Sequence, residues 1–273
     1  MRILLPADYH STRARYPVLY LLHGAGDTYA TWTDQTDVEA FSASLPVIIV
    51  MPDGGHDADA GFYSDWLDGS RQWETFHVDV LRRYVERNFR TLPGRRHRAL
   101  AGLSMGGFGA MSYAARHPEL FEAAASFSGA VDTLWAVPAS NVLYATHVVD
   151  VGVWGDPATH EALWRAHNPT DLARRLRHTA LFLATGDGTR GGPAGDIDDP
   201  GSYGIETVVR AMTLDFARAL EAAGASYAAD FYAGGYHGWP YWERELHWAL
   251  PQILQRIGAT GGAERIPLAR ARH

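Results

Sequence analysis

Ser104 stands in the run Gly102-Leu103-Ser104-Met105-Gly106, and His237 in Ala233–Trp242 (AGGYHGWPYW). A serine hydroxyl attacks a carbonyl carbon only when a base takes its proton, and imidazole titrates in the range where that is useful. Composition alone yields a G-x-S-x-G pentapeptide in about one such chain in ten, so its context carries the reading. The apolar Ala99–Ala101 precedes it, and a small-residue stretch ending near His117-Pro118 follows. That predicts strand, sharp turn and helix, with the serine Oγ exposed above a sheet. Gly102 and Gly106 leave room where a Cβ would strike neighbouring backbone. Glycine-rich turns of this kind also cradle phosphates, but this one carries neither a G-x-G-x-x-G run nor a P-loop lysine. The chemistry indicated is acyl transfer at an ester.

Sites built on this turn keep the chain order serine, acid, histidine. Of the thirteen histidines, His237 follows the expected last strand, Ala228–Tyr232, in a glycine-rich loop. His247 falls in the helix beyond and reads as a packing or surface residue, and His178 precedes a strand, at its wrong end. An oxyanion hole needs two backbone N–H donors. Met105, directly after the serine, is the first candidate, and Ala25 in His23-Gly24-Ala25-Gly26 is the second. His23 reads as shaping that loop. Trp66, Trp73, Trp239 and Trp242 stand near these motifs, as pocket walls or as core.

Strand candidates are Val18–Leu22, Val47–Met51, Arg98–Ala101, Ala123–Phe127, Leu181–Ala184 and Ala228–Tyr232. Amphipathic stretches lie between or after them: Trp73–Asn88, Met105–His117, Ile205–Ala223 and Tyr241–Ile257. Such alternation predicts an α/β fold, a mainly parallel central sheet with helices on both faces. Arg2–Leu5 reads as an antiparallel edge strand. One domain is expected over residues 1–273, with residues 137–168 as an excursion over the sheet and residues 187–203 as a long loop. The loop's Asp196, Asp198 and Asp199 match no calcium-loop spacing and read as solvated. Arg95–Arg98 (RRHR) reads as a solvated turn.

The chain has 273 residues, 47% hydrophobic and 20% charged, with a formal charge of −7 and no cysteine. Disulfides, thiolate metal sites and a cysteine nucleophile are excluded. The arginines are scattered, which gives no footprint for nucleic acid. No apolar run reaches the roughly 18 residues of a membrane span. The opening MRILLPADYH lacks a signal peptide's apolar region. The chain as it stands therefore reads as cytoplasmic, or as starting downstream of a leader.

The motifs together resemble the esterase D-type branch of the α/β-hydrolases, and within it the actinobacterial antigen 85-like mycolyltransferases and esterases. The matching blocks are LYLLHG (19–24), MPDGG (51–55), FYSDW (62–66), WETF (73–76), GLSMGG (102–107), VWGDP (153–157) and HGWPYW (237–242). The resemblance implies the α/β-hydrolase fold, no cofactor, and hydrolysis or transfer of acyl groups of a small-molecule ester. It also bears on the acid. The acid commonly follows the strand Leu181–Ala184, which nominates Asp187. In the mycolyltransferase-like members it is a glutamate at the start of the next helix, which matches Glu206, with Phe216 downstream also in pattern. Glu206 could equally be a first-turn carboxylate favoured by the helix dipole. Family members carry further residues before the segment matched from Ile3. AGDTYATW (25–32) differs from the polar stretch that binds trehalose, which argues against transfer to that sugar. The expectation is a serine carboxylesterase working through an acyl-enzyme on Ser104. The alternatives are an acyltransferase using a sugar or lipid alcohol and a non-catalytic binding protein on the same fold.

Overall fold

The computed structural model describes residues 1–55, 60–137, 140, 141 and 149–259. Its centre is a seven-stranded sheet. The strands are β1 (Arg2–Leu4), β2 (Val18–Leu22), β3 (Ile48–Met51), β4 (Arg98–Leu103), β5 (Ala123–Phe127), β8 (Ala180–Thr185) and β9 (Tyr227–Phe231). A separate pair, β6 (Ala136–Val137) and β7 (Ser140–Asn141), lies outside it. The order is β1-β3-β2-β4-β5-β8-β9, with all neighbours parallel except β1 against β3. This is the α/β-hydrolase architecture.

Side chains of a strand alternate between faces, and here both faces are covered. Val18, Tyr20 and Leu22 join the core that holds Phe108, Met111 and Trp154. Leu19 and Leu21 join the other, built on Leu246, Leu250 and Ile253. The latter three belong to the last described helix, Trp239–Ile257, so the continuous apolar strands are a consequence of helices on two sides.

The expected helix 73–88 is three consecutive segments, Trp73–Thr75, Phe76–Leu81 and Arg82–Asn88, the middle one a wider π turn. There His77 turns inward; its Nε2–H donates to the Asp53 carbonyl (2.7 Å), and Nδ1 meets the Tyr113 hydroxyl (3.0 Å). Two expectations need correction. Helix Pro200–Ala222 starts inside the stretch read as loop, because the Asp199 side chain caps Gly201 N–H and proline occupies the first turn. Arg95–Arg98 is no solvated turn. Arg98 is 7% exposed, pairs with Glu86 at 2.8 Å, and donates to the Leu120 carbonyl. Arg95 donates to the Pro118 carbonyl and pairs with Glu122. Within 137–168, helices Val151–Trp154 and Pro157–His167 are formed, while residues 138, 139 and 142–148 lie outside the described residues.

The chain leaves β2 for β3 on one side and returns to β4 on the other, so the strand order reverses between β2 and β4. In open parallel sheets, the crevice beyond the strand ends at such a reversal is where ligands bind. His23 follows β2 there, and Ser104 follows β4.

Candidate active site

Ser104 joins β4 to helix Met105–Arg116 at φ 50° and ψ −118°, a strained conformation for a residue with a Cβ. The turn is pinned from both sides. Ser104 N–H donates to the Phe127 carbonyl (2.9 Å), and Phe108 N–H to the Ser104 carbonyl (3.1 Å). The glycines permit close approach: a methyl group at Gly102 would lie 2.4 Å from the Gly106 carbonyl oxygen, and one at Gly106 2.5 Å from that of Leu22.

The loop after β9 brings His237 over this turn, and His237 N–H is held by the Ser202 carbonyl at 3.1 Å. Its Nε2 lies 2.9 Å from Ser104 Oγ, and its Nδ1 2.9 Å from Glu206 Oε2. Glu206 is buried on helix Pro200–Ala222. Its Oε1 accepts from Ser128 Oγ, Thr185 Oγ1 and Gly186 N–H, each at 2.8 Å. Burial pushes its carboxyl upward, but the bond and charge of His237 and the two hydroxyls outweigh this and hold it below the usual glutamate range. An ionised Glu206 can only accept, so Nδ1 carries the imidazole proton and Nε2 is free to accept the Ser104 proton.

Asp187, the alternative acid, is not part of this line. Its Oδ1 accepts from Thr189 N–H, Thr189 Oγ1 and Gly234 N–H, which ties the loop ahead of His237 to the end of β8. The structure therefore brings together Ser104, His237 and Glu206 and leaves Asp187 as a fastener beside them.

Met105 N–H opens the helix behind the serine. The other expected donor, Ala25, lies on an exposed lip beside it; a methyl group on Gly24 would stand 3.5 Å from Ser104 Cβ. His23 is buried under that lip. Gly54 N–H donates to its Nε2 (2.8 Å), so Nδ1 carries the proton and donates to the Gly24 carbonyl (2.8 Å). That carbonyl belongs to the same peptide plane as Ala25 N–H. Asp27 accepts from Gly24 N–H at 3.1 Å.

Edge-on rings connect the first loop to the imidazole. Trp32 meets Trp239 at 5.3 Å, Trp239 meets Trp242 at 5.2 Å, and Trp242 meets His237 at 5.0 Å. Trp73 instead stacks on His77, and Trp66 donates to the Gly61 carbonyl. His247 pairs with Asp37 at 2.7 Å and stacks on Phe41, while His178 offers its carbonyl to Arg95. Asp196, Asp198 and Asp199 diverge, to Gly191 N–H, Arg190 and the helix cap respectively. Sequence reasoning did not reach Ser128, Thr185 and Gly186. The left-handed φ of Ser128 (46°) aims its hydroxyl at Glu206, and no local pattern marks that.

Comparison with known proteins shows the family of the chain. The Esterase family model matches residues 1–253. Esterase Rv1288 of Mycobacterium tuberculosis strain H37Rv is 38% identical over 247 residues, covering 86% of this chain and 52% of the relative. The chain thus spans about half the length of that curated esterase. The diacylglycerol acyltransferase/mycolyltransferase Ag85A of Mycobacterium leprae is 30% identical over 278 residues, covering 95% of this chain and 81% of the relative. A solved ferulic acid esterase superimposes with a TM-score of 0.68 at 28% identity, covering 92% of this chain and 90% of its own. The chain belongs to the Esterase family of α/β-hydrolases, in its antigen 85-like group.

Proposed function

We propose that this chain is a serine carboxylesterase acting on a small-molecule ester. The observation that carries the reading is the unbroken line from Ser104 Oγ through His237 to Glu206, with both links at 2.9 Å. Ser104 is the nucleophile, His237 the base, and Glu206 the group that orients the imidazole and stabilises its charged form. As Oγ attacks the carbonyl carbon, its proton passes to Nε2, and the carbonyl electron pair moves to the oxygen. The amides of Met105 and Ala25 receive that oxyanion. Its collapse expels the alcohol, which takes the proton from Nε2 and leaves an acyl-serine. Water then repeats the sequence, releasing the acid and restoring Ser104.

Hydrolysis of p-nitrophenyl esters of increasing acyl length tests this, with Ser104→Ala alongside. The reading expects turnover that the variant loses, with an optimum that sizes the acyl pocket. Wild type no faster than the variant on every ester would reject it. A second reading replaces water by an alcohol at deacylation; the likeness to a mycolyltransferase over 95% of the chain favours it. A transfer ester formed when an acceptor alcohol is added distinguishes the two.

A further inference from the structure

Behind the triad lies a second carboxyl that the reaction above does not use. Glu245, on helix Trp239–Ile257, is 0% exposed. Its Oε1 accepts from the Tyr232 hydroxyl at 2.7 Å, and its Oε2 has no hydrogen-bond partner among the described residues. The groups facing it are Tyr232 after β9, Asp230 on β9, Arg244 on its own helix and Glu206 on helix Pro200–Ala222. The cation among them is already engaged: Arg244 pairs with Asp230 at 2.7 Å and lies over the Tyr232 ring at 4.4 Å. A buried carboxylate with one oxygen unsatisfied, near the ionised Glu206, would be costly; with its proton the group leaves only a neutral hydroxyl unpaired, which costs far less. Burial first, and the Glu206 charge second, drive its carboxyl well above the usual range.

Tyr232 explains why an acid stands there. Its ring fills the space against Gly186 and Gly235, where added methyl groups would come within 3.1 and 3.0 Å of its Cε2. Gly186 N–H is a donor to Glu206, and Gly235 belongs to the loop carrying His237. We propose that Glu245 is a positioning residue of the site. It is a neutral carboxylic acid that anchors Tyr232, and through it the backbone contacts of Glu206 and His237, without adding a second negative charge behind the imidazole. Were it ionised, His237 would hold its proton more tightly and serve less well as a base near neutral pH. The proposal rests on the Ser104–His237–Glu206 reading.

Glu245→Gln keeps the Tyr232 acceptor and removes only the ability to ionise. It is expected to retain kcat within about twofold, with the acid limb of the pH–rate profile at the same midpoint. Glu245→Ala and Tyr232→Phe break the anchor; each is expected to lower kcat by about tenfold with KM little changed, and the double variant to be no worse than either. Infrared spectroscopy at neutral pH should show the C=O stretch of a protonated carboxylic acid that Glu245→Gln lacks, and this readout stands even if Glu245→Ala does not fold. An acid limb displaced downward in Glu245→Gln, no such band in wild type, or unchanged kcat in Tyr232→Phe would each overturn the proposal. Ser104→Ala separates the two claims, since turnover surviving that change removes the triad reading whatever Glu245 does.

Discussion

Glu206 meets His237 through Oε2 at 2.9 Å, while its Oε1 is taken up by Ser128, Thr185 and Gly186. The ends of two strands, β5 and β8, thereby fix the plane and the charge of the group that orients the imidazole. A carboxylate so held has one free direction, and His237 occupies it.

The two candidate acids should separate cleanly on mutation. Glu206→Gln leaves a donor facing Nδ1 and favours the wrong tautomer, so kcat should fall by about ten-thousandfold with the fold retained. Asp187→Asn can still accept from Thr189 and Gly234, and its loss of kcat should stay under about tenfold. Steady-state rates on one activated ester decide between them.

Ser128→Ala removes one of three donors to Glu206 Oε1. A hydrogen bond to a charged group contributes about 1.5–3 kcal/mol, so stability at neutral pH should drop by that order. Glu206 lies below its ordinary range in the folded protein. Its stabilising contribution is therefore full above the unfolded glutamate value and lost as pH falls through the folded one. The gap between variant and wild type should narrow on acidification, as urea unfolding at several pH values would show.

Glu245 carries the opposite sign. Its folded carboxyl is raised, so its contribution is full below the unfolded glutamate value and is lost as pH rises toward the folded one. Over that interval wild type should lose about 1.4 kcal/mol per pH unit relative to Glu245→Gln. Paired denaturation curves at mildly acid and neutral pH measure the difference.

A methyl group at Gly24 would stand 2.6 Å from Leu103 Cδ1 and push the lip away from Ser104. Losing one oxyanion donor costs about a hundredfold or more in kcat, and Gly24→Ala should approach that with KM less affected. Unchanged kcat would remove Ala25 from the oxyanion site.

Much of the sheet was legible because its strands are covered on both sides and so read as apolar runs, as in Val18–Leu22 and Ala123–Phe127. The start of helix Pro200–Ala222 was written in Asp199-Pro200 but masked by the glycines around it. Ser104 and His237 stood out as candidates because each sits in a distinctive local run. The cradle around Glu206 did not, because it exists only once β5 pairs with β8 across more than fifty residues of chain. Glu245 was hidden for a related reason: a glutamate in an amphipathic helix reads as solvated until the neighbouring loop brings a tyrosine over it.

The central claim is that Ser104 is a nucleophile activated by His237. Incubation with a fluorophosphonate followed by peptide mass mapping tests it most directly. One adduct on Ser104 is predicted, absent from Ser104→Ala and formed far more slowly by His237→Ala. An unmodified Ser104, or labelling at the same rate without His237, would contradict the account.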